Sequence, residues 1–140
     1  METSTEATLL HHGIRPTAVR ILVYRAIRHR SEAFSLADTE NWLPDMDRSS
    51  IFRTLRLFAE HQILHEIDDG SGTAKYCVCR CEDRHHLNHI HFACTRCFHT
   101  YCLEDHTIPL VTLPDGFLPQ EVEYIVKGIC PKCTKQKSFP

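Results

Sequence analysis

The chain has 140 residues, enough for one domain or two small ones. Its hydrophobic content of 42% allows a packed core, and its net charge of −2 excludes a protein that binds nucleic acid through a global positive field. No apolar run approaches the ~18–20 residues of a membrane span, so no membrane association is expected.

The N-terminal stretch METSTEATLL lacks the basic and long apolar segments of a secretory signal. We therefore expect a cytoplasmic location. There, the eight cysteines are metal ligands or free thiols rather than disulfides. The even cysteine count leaves a secreted disulfide protein open as an alternative.

Residues 14–30 are predicted to form the first helix, because apolar residues recur at helical spacing after Thr17. The stretch from Gly13 to Arg30 contains five arginines and no acidic residue. A local basic helix of this kind can contact phosphates even in an acidic protein. A second helix is predicted from an N-cap at Ser35 to about Leu43, where Pro44 stops it.

A third helix is predicted after an N-cap at Asp47 or Ser49. Its apolar residues form one stripe, and its opposite face carries polar, basic and aromatic side chains. The stripe comprises Ile51, Leu55, Phe58 and Ala59, and the opposite face comprises Ser50, Phe52, Arg53 and Arg56.

Two β-like runs, ILHEI and AKYCVC, follow the third helix and are joined by the glycine-containing turn DDGSGT. Three helices followed by a hairpin are typical of a winged helix-turn-helix domain, in which the third helix enters the major groove. We assign residues 1–80 to this DNA-binding domain and residues 81–88, which are polar and His-rich, to a hinge.

Residues 89–140 are predicted to form a small C-terminal α/β domain, so the overall class is α+β. Its strands are HIHFAC, HTYCL and QEVEYIVKGIC, with a short helix near residues 105–113. This half is too small to bury much surface alone, so a metal and a partner subunit are expected to stabilise it, which makes it a dimerisation domain.

The strongest metal signal is a pair of CxxC sequences, Cys94 with Cys97 and Cys130 with Cys133. Two such turns can bring four thiolates into the tetrahedron of a closed, structural Zn²⁺ site. Redox-active CxxC pairs are the alternative, but the surrounding βαβ pattern is missing. His89 and His91 form a second candidate, because alternation along a strand points both imidazoles to one face. A solvated polar hinge is the alternative reading of that His-rich stretch.

Four stretches together resemble the ferric uptake regulator (Fur) superfamily. GIRPTAVRILVYRAI resembles the opening helix of that family, and DRSSIFRTLRLFAEHQIL resembles its recognition helix. HIHFACTRC resembles its H-x-H-x-x-C-x-x-C core, and CPKC resembles its closing pair. The ordered match covers essentially the whole chain. It implies a homodimeric metal-sensing repressor that binds a palindromic operator in double-stranded DNA, with no small-molecule substrate and no enzymatic activity.

The departures from the family pattern bear on which metal is sensed. Ala33 to Ser35 stand where iron-sensing members carry a histidine ligand, and Phe52 replaces the usual tyrosine of the recognition helix. Many family members carry a further metal site on the dimerisation domain. At the matching positions this chain has poor ligands, so that site is expected to be absent. These residues are Asn88, Ile90, Pro109 and Val122.

The remaining ligand pattern resembles that of zinc uptake regulators. The resemblance implies a regulatory metal site with four ligands, which are His65, Cys79, His89 and His91. One thiolate with three imidazoles suits Zn²⁺ better than Fe²⁺. Cys77 is an alternative ligand, since it shares a strand face with Cys79.

For the DNA interface we expect Arg15 and Arg20 at phosphates, Phe52 on a thymine methyl group, and Arg53 at a guanine edge or a phosphate. Ser50 and Arg56 project from the same helix. Other effectors of the same family stay open, namely iron, manganese, haem or peroxide, since Cys77, Cys79 and Cys81 are thiols that can oxidise or bind iron. A zinc hydrolase is a remote alternative, because the H-x-E and HExxH sequences are absent.

Overall fold

The computed structural model describes residues 4–78, 90–103, 111–120, 122 and 124–135. The chain divides into two compact units, Met1–Arg80 and Cys81–Pro140. Both combine helices and strands, which confirms the predicted α+β class. In the described part of the chain, no helix is both long and apolar enough to cross a membrane.

Residues 4–78 of the first unit form four helices, and each begins where a side chain caps it. The capping oxygens belong to Ser4, Thr17, Ser35 and Asp47, and each accepts from the backbone N–H three residues further on. This satisfies donors that have no partner within the helix. The helices are α1 (Thr5–His11), α2 (Ala18–Ile27), α3 (Leu36–Trp42) and α4 (Arg48–Glu60).

The predicted helices α3 and α4 are present, and Asp47 rather than Ser49 caps α4. Helix α2 begins at Ala18, four residues later than the predicted start at residue 14, because Thr17 is extended and caps the helix with its hydroxyl. Helix α1 was not predicted. Its seven residues bury only Thr5 and Leu9, which is too short a pattern to establish a helical period.

Helix α1 is held to the end of α4 by two histidines. His12 Nδ1 lies 3.1 Å from the carbonyl oxygen of His61, and His61 Nδ1 lies 2.8 Å from the carbonyl oxygen of His12. Since both acceptors are carbonyls, both Nδ1 atoms must carry a proton and donate. His12 and His61 are the C-caps of α1 and α4, so the two hydrogen bonds hold the C-terminal ends of these helices together.

The sheet of the first unit has the strand order β1-β3-β2 and is antiparallel. Its strands are β1 (Phe34–Ser35), β2 (Leu64–Ile67) and β3 (Lys75–Val78). The β2–β3 hairpin was predicted, whereas β1 was not, since two residues carry no alternation signal. Asp69 and Lys75 form a largely buried ion pair of 2.8 Å at the hairpin.

The core of the first unit lies between the helices and one face of this sheet. Ile51, Leu55 and Phe58 are fully buried, so the predicted apolar stripe of α4 is the face that packs inward. The sheet contributes Leu64, Tyr76 and Val78 from alternate positions. The helices contribute further side chains, among them Leu9, Ile14, Val23 and Ile27.

The second unit contains the sheet β5-β4-β6, with β4 (Ile90–Cys94), β5 (Thr100–Leu103) and β6 (Tyr124–Gly128). Strand β4 pairs antiparallel with β5 and parallel with β6. The short helix α5 (Pro131–Thr134) follows β6. Of the helix predicted near residues 105–113, residues 105–110 lie outside the described residues, and residues 111–113 are not helical. The predicted hinge, residues 81–88, also lies outside them.

Candidate metal centres and nucleic-acid interface

Four cysteine sulfurs converge in the second unit. Cys94 ends β4, Cys97 lies in the turn towards β5, Cys130 is the N-cap of α5, and Cys133 lies within α5. The four Sγ atoms all lie within 4.8 Å of one another. The four residues predicted to form the closed site are thus brought together by two turns.

The backbone fixes both turns. The carbonyl oxygen of Cys94 accepts from the backbone N–H of Phe98 at 3.1 Å, which closes the first turn. The carbonyl oxygen of Cys130 accepts from the N–H of Cys133 at 3.1 Å, which closes the second. Thr95 joins the two, because its backbone N–H donates to the carbonyl oxygen of Gly128 at 2.8 Å. The four sulfurs are therefore positioned by main-chain hydrogen bonds.

The sulfur positions fit a tetrahedral zinc ion. Cys94 Sγ lies 3.8 Å from Cys133 Sγ, and Cys97 Sγ lies 3.7 Å from Cys130 Sγ. Zn–S bonds of ~2.3 Å in a tetrahedron require sulfurs about 3.8 Å apart. These two distances match that value and all four sulfurs lie within 4.8 Å of one another, so the cluster could hold a zinc ion. Four protein donors would leave no coordination position open.

The four thiols differ in acidity. Burial raises the pKa of the Cys94 thiol, but N–H groups of Cys97, Cys130 and Arg96 outweigh burial and lower its pKa to about 5. Burial and the neighbouring thiols Cys130, Cys94 and Cys97 raise the pKa of Cys133 to about 12. The pKa of Cys130 is lowered, because its hydrogen bonds outweigh burial. The backbone N–H of His99 lowers the pKa of Cys97, but burial and the thiols of Cys94 and Cys130 outweigh it, so that pKa is raised.

The predicted regulatory ligands lie partly within the described residues. In the first unit, His65 of β2 is directly opposite Cys77 of β3, and their ligand atoms lie within 4.8 Å. In the second unit, His91 of β4 is 6% exposed and lies directly opposite Cys102 of β5. The predicted ligands Cys79 and His89 lie outside the described residues.

The sequence alone predicts no specific role for Cys102. Alternation predicts which residues of one strand share a face, but it does not give the register between two strands. The pairing of β4 with β5 provides that register and places Cys102 opposite His91.

The outer face of α4 presents one aromatic and two basic side chains. Phe52 is 41% exposed, and Arg53 and Arg56 are exposed on the same helix. The Arg56 guanidinium lies 5.8 Å from the centre of the Phe52 ring, within the range of a cation–π interaction. Since all three side chains are exposed, they are accessible to a molecule that binds this face of the helix.

Ser50 is engaged in capping α4. Its hydroxyl donates to Asp47 Oδ1 at 2.7 Å, and its backbone N–H donates to Asp47 Oδ2 at 3.0 Å. These two hydrogen bonds, with a smaller contribution from Arg53, lower the pKa of the Asp47 carboxyl. The Ser50 hydroxyl can therefore only accept a further hydrogen bond while the cap is intact.

Arg15 and Arg20 lie at the start of α2. Arg20 Nη1 donates to the carbonyl oxygen of Arg15 at 2.9 Å, and the side chain of Arg15 is exposed. The guanidinium of Arg20 keeps further donors, because it carries five N–H groups. Both positions thus offer positive charge beside the helix start.

Comparison with known proteins identifies the family. Residues 11–112 match the model of the Ferric uptake regulator family. The chain belongs to the ferric uptake regulator family. Members of this family are metal-responsive transcriptional regulators. The resemblance noted in the sequence is thereby confirmed.

Three proteins similar to this Fur-family chain share 29% or less of its sequence. The Transcriptional regulator FurA of Mycobacterium tuberculosis is 29% identical over 133 residues, which covers 86% of this chain and 84% of FurA. A Zinc Uptake Regulator solved with zinc and DNA is 18% identical and has a TM-score of 0.69, with coverage of 99% of this chain and 100% of that structure. The Vibrio cholerae ferric uptake regulator is 15% identical and has a TM-score of 0.63, with coverage of 89% and 98%. These structural likenesses show the fold.

Proposed function

We propose that this Fur-family chain is a zinc-responsive repressor of metal-uptake genes that binds a palindromic operator as a homodimer. One observation carries the proposal. The first unit combines an exposed aromatic and basic helix face on α4 with a nitrogen–sulfur donor pair, His65 and Cys77, on the hairpin that follows it. The proposed DNA-binding surface and the proposed metal ligands would therefore lie on elements that follow each other in the chain.

The donor chemistry supports zinc as the regulatory metal. We propose His65, His89 and His91 as imidazole ligands, together with one thiolate from β3 or the residues after it, either Cys79 or Cys77. Imidazole and thiolate donors suit Zn²⁺, whereas carboxylate-rich sites suit Mn²⁺ and Fe²⁺. When bound, the ion would fix the positions of the side chains that hold it. A zinc-bound and DNA-bound relative of similar fold is consistent with this assignment.

The proposed ligands would act by limiting where α4 can lie. In a homodimer, two copies of α4 must lie about 34 Å apart to enter successive major grooves on one face of DNA. His65 belongs to the hairpin directly after α4, so a metal bond to it restricts the position of that helix. The metal raises DNA affinity only if it binds the arrangement that fits DNA more tightly than it binds other arrangements of α4. The gain in DNA affinity cannot exceed that difference in metal affinity.

On the DNA side, we propose that Phe52 contacts a thymine methyl group and that Arg53 contacts a base edge or phosphate. Arg56, which lies against Phe52, would orient the ring or contact a phosphate. Arg15 and Arg20 would contact phosphates next to the groove. Ser50 would mainly keep the helix start capped.

Replacing Arg53 with alanine tests the assignment of α4 as the recognition helix. A lost base contact should weaken operator binding by ~5–150-fold, the equivalent of ~1–3 kcal/mol. A lost phosphate contact should weaken all sequences alike and reduce the slope of log K against log salt by ~1. The measurement is fluorescence anisotropy on a duplex selected from a random library, at several salt concentrations.

The matched control is Lys127→Ala, which removes one exposed positive charge from the second unit. It should leave both the affinity and the salt slope nearly unchanged. If Arg53→Ala and Lys127→Ala behave alike, α4 does not contact DNA.

A further inference from the structure

The hairpin of the first unit has two faces with different chemistry. One face packs on the helices through Leu64, Tyr76 and Val78, which belong to the hydrophobic core. Because successive residues of a strand alternate, His65 and Cys77 lie on the other face. That face therefore carries an imidazole and a thiol, beside the buried side chain of Ile67.

Cys77 and His65 form a cross-strand pair. The two residues are opposite each other in the antiparallel register, where Cβ atoms are ~4.5–5.5 Å apart. Their ligand atoms lie within 4.8 Å. A tetrahedral zinc ion holds an imidazole nitrogen and a thiolate sulfur about 3.6 Å apart, given bonds of ~2.0–2.1 and ~2.3 Å. A small side-chain rotation therefore suffices for both to bind one ion.

A purely structural role accounts poorly for Cys77. Buried cysteines commonly act as small apolar residues of a core. Cys77 is 2% exposed, yet it is not among the residues that pack in the core of the first unit, although Tyr76 and Val78 on either side are. Its Sγ contacts the carbonyl oxygen of Val78 at 3.9 Å, which is a weak interaction. The thiol is thus held beside His65 on the face that does not pack on the helices.

We propose that Cys77, and not Cys79, is the thiolate ligand that binds the regulatory metal together with His65. This inference rests on the proposed function, since it names a ligand of the proposed regulatory site. The sequence alone favoured Cys79 by resemblance and left the register open. The observed register now fixes which cysteine faces His65.

Cobalt(II) tests the inference, because a cobalt–thiolate bond gives a charge-transfer absorption band in the near ultraviolet that imidazole ligands do not give. The full chain is first loaded with one zinc per chain at the four-cysteine cluster, and Co²⁺ is then titrated. The wild type should take up a second ion and show the band. Cys77→Ser should lose the band, and its affinity should fall by more than the ~10–100-fold that loss of an outer-shell partner costs.

Cys79→Ser is the matched control and should keep the band and the affinity. Since Cys77 is buried, Cys77→Val is a second variant that suits a strand and should also lose the band. A band that persists in a folded Cys77 variant overturns the inference, and so does a band that disappears in Cys79→Ser. With two Cys77 variants, the test remains decisive if one of them fails to fold. A second ion bound by the wild type without the band also overturns it, while the proposed function stands. Absence of any second ion from the wild type contradicts the proposed function itself.

Discussion

Replacing Cys94 with serine is expected to abolish zinc binding at the four-cysteine cluster and to unfold the second unit. Cys94 accepts backbone N–H donors from both turns, from Cys97 and from Cys130, each at 3.4 Å. It also has the lowest stated pKa of the cluster, about 5, so it is the thiol most ready to bind an ion. Loss of this ligand removes both the bond and the link between the turns.

The expected size of this effect follows from the small core of the second unit. Around the cluster, the buried side chains are Cys94, Cys130 and Cys133, with Phe92, Cys97 and Tyr101 packed against them. Structural zinc contributes ~10–16 kcal/mol of apparent binding free energy to small domains, more than the ~5–15 kcal/mol that stabilises a typical domain. Among the described residues of the second unit, this cluster of metal ligands supplies much of the buried core, so we expect the unit not to fold without the ion.

The measurements are zinc content by mass spectrometry and the dispersion of backbone amide signals in NMR spectra. Cys102→Ser is the matched control, because Cys102 is a cysteine of β5 that does not belong to the four-sulfur cluster. It should retain one zinc per chain and dispersed signals. A folded Cys94→Ser protein with normal zinc content would show that the cluster does not hold the structural metal.

Replacing both His89 and His91 with alanine is expected to abolish metal-dependent operator binding and to leave a folded protein with one zinc per chain. His91 is buried in β4, whereas the four cysteines form a separate group of ligands at the end of that strand. The double variant therefore removes proposed regulatory ligands without touching the closed cluster. The wild type should bind operator at least ~100-fold more tightly with metal than without, while the variant should show no difference.

DNA affinity with and without added Zn²⁺, together with zinc content, measures this effect. His29→Ala is a suitable control, since His29 is an exposed histidine of the first unit. If the double variant unfolds and loses all zinc, the structural and regulatory roles of the two sites have been exchanged.

Much of the fold could be predicted because long elements carry redundant signals. The stripe Ile51, Leu55 and Phe58 and the cap at Asp47 both predict α4, and each is independent of the rest of the chain. Helix α1 and strand β1 escaped prediction because they are short and are stabilised by distant partners. The hydrogen bonds between His12 and His61 and the pairing of Phe34 with Tyr76 join residues far apart in sequence.

The closed metal cluster was easier to predict than the regulatory ligands. A CxxC spacing encodes a turn that brings two sulfurs together locally, so only the meeting of two turns had to be inferred. The choice between Cys77 and Cys79 depends on the register of β2 against β3. A shift of β3 by two residues would place a different cysteine opposite His65 but leave both cysteines on the same face of the sheet. Resemblance to relatives therefore indicated one cysteine, and the strand pairing indicates the other.

The most direct test of metal-responsive DNA binding is a titration of the full chain on a selected palindromic duplex at fixed salt. DNA affinity is followed as the zinc content rises from one to two ions per chain, with Fe²⁺, Mn²⁺ and haem compared in parallel. The proposed function predicts weak binding with one zinc and a rise of at least ~100-fold on uptake of the second, with zinc effective at the lowest free concentration. An affinity that is the same with one and with two ions, or that rises only with another effector, would contradict it.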